Sequence, residues 1–427
     1  MVVIRVEEFS KYAFLICAMC GEILKSDLKK VLGSERMARR AVQKAREDKL
    51  LAERSTPLGR FTRLTKNGYH ELAKIPPLRA HYDILTKKHT FSNDRATLQR
   101  RKAMSRTILT FLENETPQNG ILLRFDNRPG RKKAPAGVSD TVLNPVIGKE
   151  LFTGLEHVFV TYEKEDDLKA GEIHSFREHA RRVASGSVNF FPSNVVKRHR
   201  DSERSTTGNM NSTRTKGQLF GDEMSYAVYY MEKGPIETPV QNELRYAEYM
   251  TDIYESIYGK AAARKQAAEG RKGSAVIIGA GDMLSSFILS ENEKFMRNSV
   301  SSKIVLPTVY SQVHFAAFGD RFPNQILKND WEENLIKELY LPAERQKAKL
   351  EAGLSYIKAV VRAGGTQMLS MPLFSLDIVK INDSISEVLD AGEPLHILCP
   401  KEYEEQIRKI YERYDKANIE TINITGA

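Results

Sequence analysis

Apolar residues recur at helical spacing from the start of the chain. Tyr12, Leu15, Ile16 and Met19 share one face of the run from Lys11 to Cys20, and Gly21 interrupts it. Ser26 suits the N-cap of a short helix over 27–32 that Gly33 closes. Ser34 then opens a third helix whose inner face is Met37, Ala38, Ala41 and Ala45, leaving Arg36, Arg39, Arg40, Lys44 and Arg46 on the other faces. The pattern next shortens to strand-like segments over 50–53 and 60–64, around the turn Thr56-Pro57-Leu58-Gly59. Thr65 caps a further helix through Ala73, and Pro76-Pro77 closes the unit. Helix, helix, basic helix, strand, glycine turn, strand predicts a winged helix-turn-helix domain over residues 1–77.

Residues 78–118 read as a helical connector, with Leu98, Met104 or Ser105, Ile108, Leu109 and Leu112 as its buried stripe. A dimerisation helix, and hence a homodimer, or more nucleic-acid surface would also fit this segment. From Gly120 strand-like runs over 121–125, 157–162, 225–231, 274–278, 303–310 and 395–399 alternate with helical stretches over 240–258, 330–341, 342–363 and 401–417. This alternation predicts a mixed-sheet α/β domain over 119–427, with a sub-boundary near 259–273. The whole chain is thus an α+β / α/β protein.

Charge changes the picture through its location. The chain carries +10, but residues 1–110 hold 24 Lys and Arg against 11 Asp and Glu, a net of +13. The remainder holds 41 against 44, a net of −3. Charge so confined favours a polyanion. Ribosomal or membrane-surface binding would satisfy the charge alone; the winged-helix pattern points to double-stranded DNA. Arg36, Arg39, Arg40 and Lys44 on the third helix, with Arg60 and Arg63 in the wing, are the expected contacts. Lys197-Arg198-His199-Arg200 and Arg131-Lys132-Lys133 are further candidate phosphate contacts. Three cysteines are too few for a disulfide framework, and no apolar run spans a membrane or forms a signal peptide, so a cytoplasmic protein is expected.

One constellation invites a test for chemistry. Asp222 precedes the strand Tyr226-Ala227-Val228-Tyr229-Tyr230-Met231, which runs into Glu232-Lys233-Gly234. Two carboxylates and a lysine resemble the PD-(D/E)xK nuclease core, which holds Mg²⁺ or Mn²⁺ beside an attacking water. That core places its second carboxylate and lysine two apart, on one face of a strand; Glu232 and Lys233 are adjacent and alternate to opposite faces. Gln241 or Arg245 from the next helix would have to substitute. The expectation is therefore a nuclease-like fold with an incomplete catalytic motif and no cofactor, and a metal-dependent nuclease using Asp222, Glu232 and Gln241 is the alternative. Val276-Ile277-Ile278-Gly279-Ala280-Gly281 resembles a dinucleotide fingerprint, but Leu284 stands where the third glycine belongs, so a turn is expected. Cys17 and Cys20 lack a second pair and read as core residues. Tyr229, Tyr230, Tyr254 and Tyr258 lack a metal-holding histidine pair and read as packing.

A basic winged helix over 34–64, Asp222, the segment Tyr226 to Gly234, and a helix bearing Tyr246, Tyr249 and Tyr254 together resemble the bacterial plasmid replication-relaxation proteins. The resemblance covers about residues 10–75 and 220–260. It implies a DNA-binding protein of plasmids or integrative elements, acting in replication, transfer or transcription control, with a restriction-endonuclease-like second domain.

Overall fold

The computed structural model describes residues 6–31, 35–74, 79, 82–83, 85–86, 91, 94–113, 189–193, 214–221, 224–232, 240–265, 273–280, 284, 306–318, 331–351, 353–363 and 365–422. The first apolar run forms α1 (Val6–Cys20), in which every residue from Ala13 to Cys20 is buried. It packs on α3 (Glu35–Glu47), whose Ala38, Ala41, Val42 and Ala45 let the two helix backbones approach closely. Between them lie β1 (Ile23–Leu24) and α2 (Lys25–Val31).

After α3 the chain turns into the hairpin β2 (Leu51–Thr56) and β3 (Gly59–Leu64), paired from Leu51 opposite Leu64 to Thr56 opposite Gly59. β1 joins β3 on its other side, giving the sheet order β1-β3-β2. Leu51 and Leu64 turn toward α1 and α3, while Phe61 turns the other way, onto Leu24 and Leu98. Thr65 caps α4 (Lys66–Glu71) by accepting the Gly68 N–H at 3.0 Å, as its sequence position predicts.

Helix α5 (Arg95–Glu113) follows, capped by Asp94, which accepts the Thr97 N–H at 2.7 Å. Its buried residues include Leu98, Ser105, Ile108 and Leu109, in line with the predicted stripe. α5 lies against α1, α2 and β1 on one side and against a second sheet on the other. That sheet has five strands in the order β4-β5-β6-β7-β8: β4 (Asn189–Pro192), β5 (Gly217–Gly221), β6 (Met224–Tyr230), β7 (Ser274–Gly279) and β8 (Gln312–Ala317). β5 runs antiparallel to both neighbours, and β6, β7 and β8 are parallel. α6 (Val240–Tyr258) and the short α7 (Lys260–Lys265) make the crossover from β6 to β7. Residues 259–273 therefore link neighbouring strands of one sheet. Adjacent residues on β6 show which helix covers which face: Tyr229 donates to Glu243 of α6 at 2.5 Å, and Tyr230 accepts from Arg106 of α5 at 3.0 Å.

The C-terminal part comprises α8 (Trp331–Leu339), α9 (Pro342–Glu351), β9 (Ala359–Ala363), β10 (Thr366–Pro372), α10 (Ile378–Ser384), β11 (Leu395–Pro400), α11 (Glu404–Tyr411) and β12 (Ala417–Ile422). Its sheet order is β12-β11-β10-β9, with β9 antiparallel to three parallel strands. It meets the five-stranded sheet at β8, where the Asp377 carboxylate accepts the Val313 N–H at 3.0 Å. The chain is thus a mixed α and β protein with mixed sheets. Among the described residues no helix is long and apolar enough to cross a membrane.

Three expected elements change. The strand expected over 303–310 gives way to a 3-10 turn at Leu306–Thr308, because Pro307 has no N–H for a ladder; the strand is β8 instead. The helix expected over 342–363 stops at Glu351, and Gly353 with φ of 64° turns the chain toward strand β9. The helix expected over 401–417 ends at Tyr411, and Ala417 already belongs to β12. The strands expected over 121–125 and 157–162 lie outside the described residues, as do Arg131-Lys132-Lys133 and Lys197-Arg198-His199-Arg200.

Candidate nucleic-acid interface

The exposed face of α3 follows from its own period. At 3.6 residues per turn, Arg36, Arg39, Arg40 and Gln43 lie opposite the buried Ala38, Ala41, Val42 and Ala45. Arg36, Arg39 and Arg40 are all exposed, and the nearest acid to Arg39 is Glu35 at 3.8 Å on an equally exposed side chain. Such a surface pair holds its guanidinium weakly and leaves it available to a phosphate. Gln43 donates to Glu47 at 3.2 Å, one turn along the same face. It escaped the sequence reading because the charges around it carried the signal.

Lys44 sits differently. It is half-buried and pairs with Asp48 at 2.7 Å, at the edge of a 610 Å³ groove also lined by Ser10, Leu50, Asn67, His70 and Glu71. Arg46 is held by Glu53 of β2 at 2.9 Å, and the same carboxylate binds Lys25 at 2.7 Å. Glu53 thereby ties the start of α2 and the end of α3 to the hairpin, which fixes the angle between helix and wing.

The two wing arginines part company. Arg60 is exposed at the start of β3, beside the turn that Gly59 makes with φ of 119°. Arg63 is fully buried, donates from Nε to the Tyr82 hydroxyl at 3.1 Å, and lies 5.9 Å from that ring. Residues three apart on a strand face opposite ways, so only Arg60 shares the hairpin face of Glu53. Arg63 as a DNA contact is corrected to a core residue. Burial raises the Tyr82 pKa, although the Arg63 charge and hydrogen bond oppose the rise. Arg54, exposed on β2 opposite Phe61, is a cation that the sequence reading left out; strand alternation around Leu51 would have found it.

The candidate nuclease residues are only partly described. Asp222 lies outside the described residues, in the segment joining Gly221 of β5 to Met224 of β6, which are register partners. Glu232 follows the opposite end of β6, whose seven residues span about 20 Å at ~3.3 Å each. Glu232 is also ion-paired with Lys102 of α5. Gln241 is exposed in the first turn of α6. Among the described residues no group of three His, Cys, Asp or Glu could hold a metal. Gly279 packs rather than cradles phosphate: a Cβ there would meet Phe315 at 3.1 Å and the Met231 carbonyl at 3.3 Å. Cys17 and Cys20 are buried thiols whose pKa values burial raises. Tyr254 and Tyr258 pack against each other with ring centroids 4.7 Å apart and planes tilted by 43°.

Beyond the surface, α5 joins the basic unit to the second sheet. Arg106 donates to both oxygens of Asp27 in α2, at 2.8 and 3.1 Å, and to the Tyr230 hydroxyl. Burial works against its charge, but Asp27 and Tyr230 outweigh that and raise its pKa. Arg101 pairs with the buried Glu22. Comparison with protein-family models, with curated proteins and with solved structures returned no match.

Proposed function

We propose that this chain binds double-stranded DNA through a winged-helix unit, with α3 in the major groove and the β2–β3 hairpin as the wing. The observation that carries the reading is the exposed row Arg36, Arg39 and Arg40, directly opposite the alanine face that seats α3 on α1. A helix fixed from behind presents its arginines at constant spacing, which phosphate and guanine contacts both need. The order α1-β1-α2-α3-β2-β3 supports the same assignment. The setting we infer from the resemblance to replication-relaxation proteins is replication, transfer or transcription control on a plasmid or integrative element, in the cytoplasm.

For the second sheet we propose a restriction-endonuclease-like scaffold. The order α5-β4-β5-β6-α6-β7, with β5 alone reversed, favours that reading. The ion pair of Glu232 with Lys102, and the adjacency of Glu232 and Lys233 in the sequence, favour a scaffold without the nuclease chemistry.

The test starts by selecting a tight-binding duplex from random DNA. Arg39→Ala with Arg40→Ala is expected to weaken binding at least tenfold and to flatten its dependence on salt, since each lost phosphate contact removes about 0.9 from the log–log slope. Unchanged affinity and slope would refute the duplex assignment. Incubation with Mg²⁺ or Mn²⁺ is expected to leave single- and double-stranded DNA uncut; cleavage abolished by Asp222→Ala would establish the nuclease instead.

A further inference from the structure

Among the exposed described residues of α3, Gln43 alone is neutral. A helix advances by about 100° per residue, so Gln43, seven positions after Arg36, returns to within about 20° of the same line. Arg40 stands between them, and Arg39 lies about 60° from Arg36 on one flank. The buried Ala38, Ala41, Val42 and Ala45 occupy the far side. Gln43 therefore sits on the centre line of the face opposite the packed one. From Arg36 to Gln43 the line runs about 10 Å at ~1.5 Å per residue, close to three base-pair steps of about 3.4 Å.

The amide of Gln43 is only half used. It donates from Nε2 to the Glu47 carboxylate at 3.2 Å, one turn along the same face. A carboxylate only accepts, so this bond fixes which end of the amide is the nitrogen. Among the described residues nothing else bonds the amide, which leaves one N–H and the carbonyl Oε1 for a ligand. Adenine offers the complement in the major groove, where its N7 accepts and its N6 amino group donates. Guanine presents two acceptors there and would set its O6 against Oε1. A neutral amide also releases no counterion from a phosphate, so it adds sequence preference without adding salt dependence.

We infer that Gln43 is a specificity-determining residue, whose amide reads one adenine in the major groove one turn past Arg39 and Arg40. This rests on the duplex-DNA reading and deepens it. The arginines supply the attraction that holds α3 in the groove, and the amide supplies the choice of base.

The experiment repeats the selection from random duplexes with Gln43→Ala and Gln43→Arg, both good helix formers on an exposed face. The wild-type motif is expected to hold an adenine that Gln43→Ala no longer selects and that Gln43→Arg exchanges for guanine, with the other positions kept. Replacing that adenine should weaken wild-type binding about five- to hundredfold and Gln43→Ala binding by about twofold at most. The salt slope of Gln43→Ala should match that of the wild type, in contrast to Arg39→Ala with Arg40→Ala. If Gln43→Ala selects the full wild-type motif while the arginine variant is weakened, the adenine contact is overturned and the duplex reading stands. A changed position that is not adenine in the wild-type motif also overturns the contact. Failure of the wild-type chain to select any duplex overturns both readings.

Discussion

Arg60 and Arg63 are separated by two residues and have opposite fates. Arg60 ends in solvent, whereas Arg63 fills the space between the hairpin and Tyr82. Removing Arg63 leaves a cavity and a buried hydroxyl without its donor. Arg63→Ala is expected to cost about 2–5 kcal/mol in urea unfolding. Arg60→Ala should leave the unfolding midpoint in place and weaken DNA binding. If Arg63→Ala instead weakened binding with no loss of stability, its assignment to the core would be wrong. The sequence showed two arginines in a short basic strand. Which one turned inward depended on the register against β2 and on the aromatic ring that residue 82 delivers from the far side. Arg54 is legible by the same alternation, from its place three residues after Leu51.

At the scale of elements, the period of the apolar positions settled most of the N-terminal unit. The positions of α1, α3, β2, β3 and α4 follow from helical stripes, a glycine turn and the Thr65 cap. Gly68 shows what packing added. A Cβ at this position would land on the Leu50 carbonyl oxygen, so α4 closes onto the hairpin only because residue 68 has no side chain. Gly68→Ala should destabilise the unit by about 1–3 kcal/mol, seen as a lower melting temperature, because the clash is with backbone rather than a movable side chain. Helix α5 carries the comparable lesson for charge. Its apolar stripe is legible in the sequence, but the partners of its basic residues are not. Arg101, Lys102 and Arg106 instead make ion pairs with residues far away in sequence, and no local pattern announces such partners. Arg106→Ala would leave Asp27, itself nearly buried, without its bidentate partner. The expected cost is about 3–5 kcal/mol by denaturant unfolding, and a loss under 1 kcal/mol would show that the junction is not structural.

The molecule as a whole is joined by buried polar contacts at its sheet edges. At β8, His314 is buried, donates from Nδ1 to the Ser375 carbonyl at 3.0 Å, and faces the Tyr226 ring at 5.6 Å. Burial lowers its pKa, with Asp377 and Glu332 opposing and Lys380 reinforcing the shift. Folded His314 therefore stays neutral at pH values where the unfolded chain, with an ordinary value near ~6.5, takes up a proton. Stability should hold above that pH and fall as the pH drops below it, by at most about 1.4 kcal/mol per pH unit. His314→Gln should flatten the fall of unfolding free energy below about pH 6.5; an unchanged slope would place the titration elsewhere.

By itself the sequence determined where local rules suffice: the basic N-terminal quarter, the helix stripes, the hairpin turn, the long crossover helix α6 and the cores of β6, β7 and β11. Each follows from spacing, capping or charge within a few residues. Tertiary structure alone decided what spacing cannot encode. It set the strand order of the two larger sheets and drew β9 and β12 out of helical-looking runs. It divided the arginines between surface and core. These outcomes depend on which distant surfaces meet, and burial against a partner outweighs the weak local preference of any single segment.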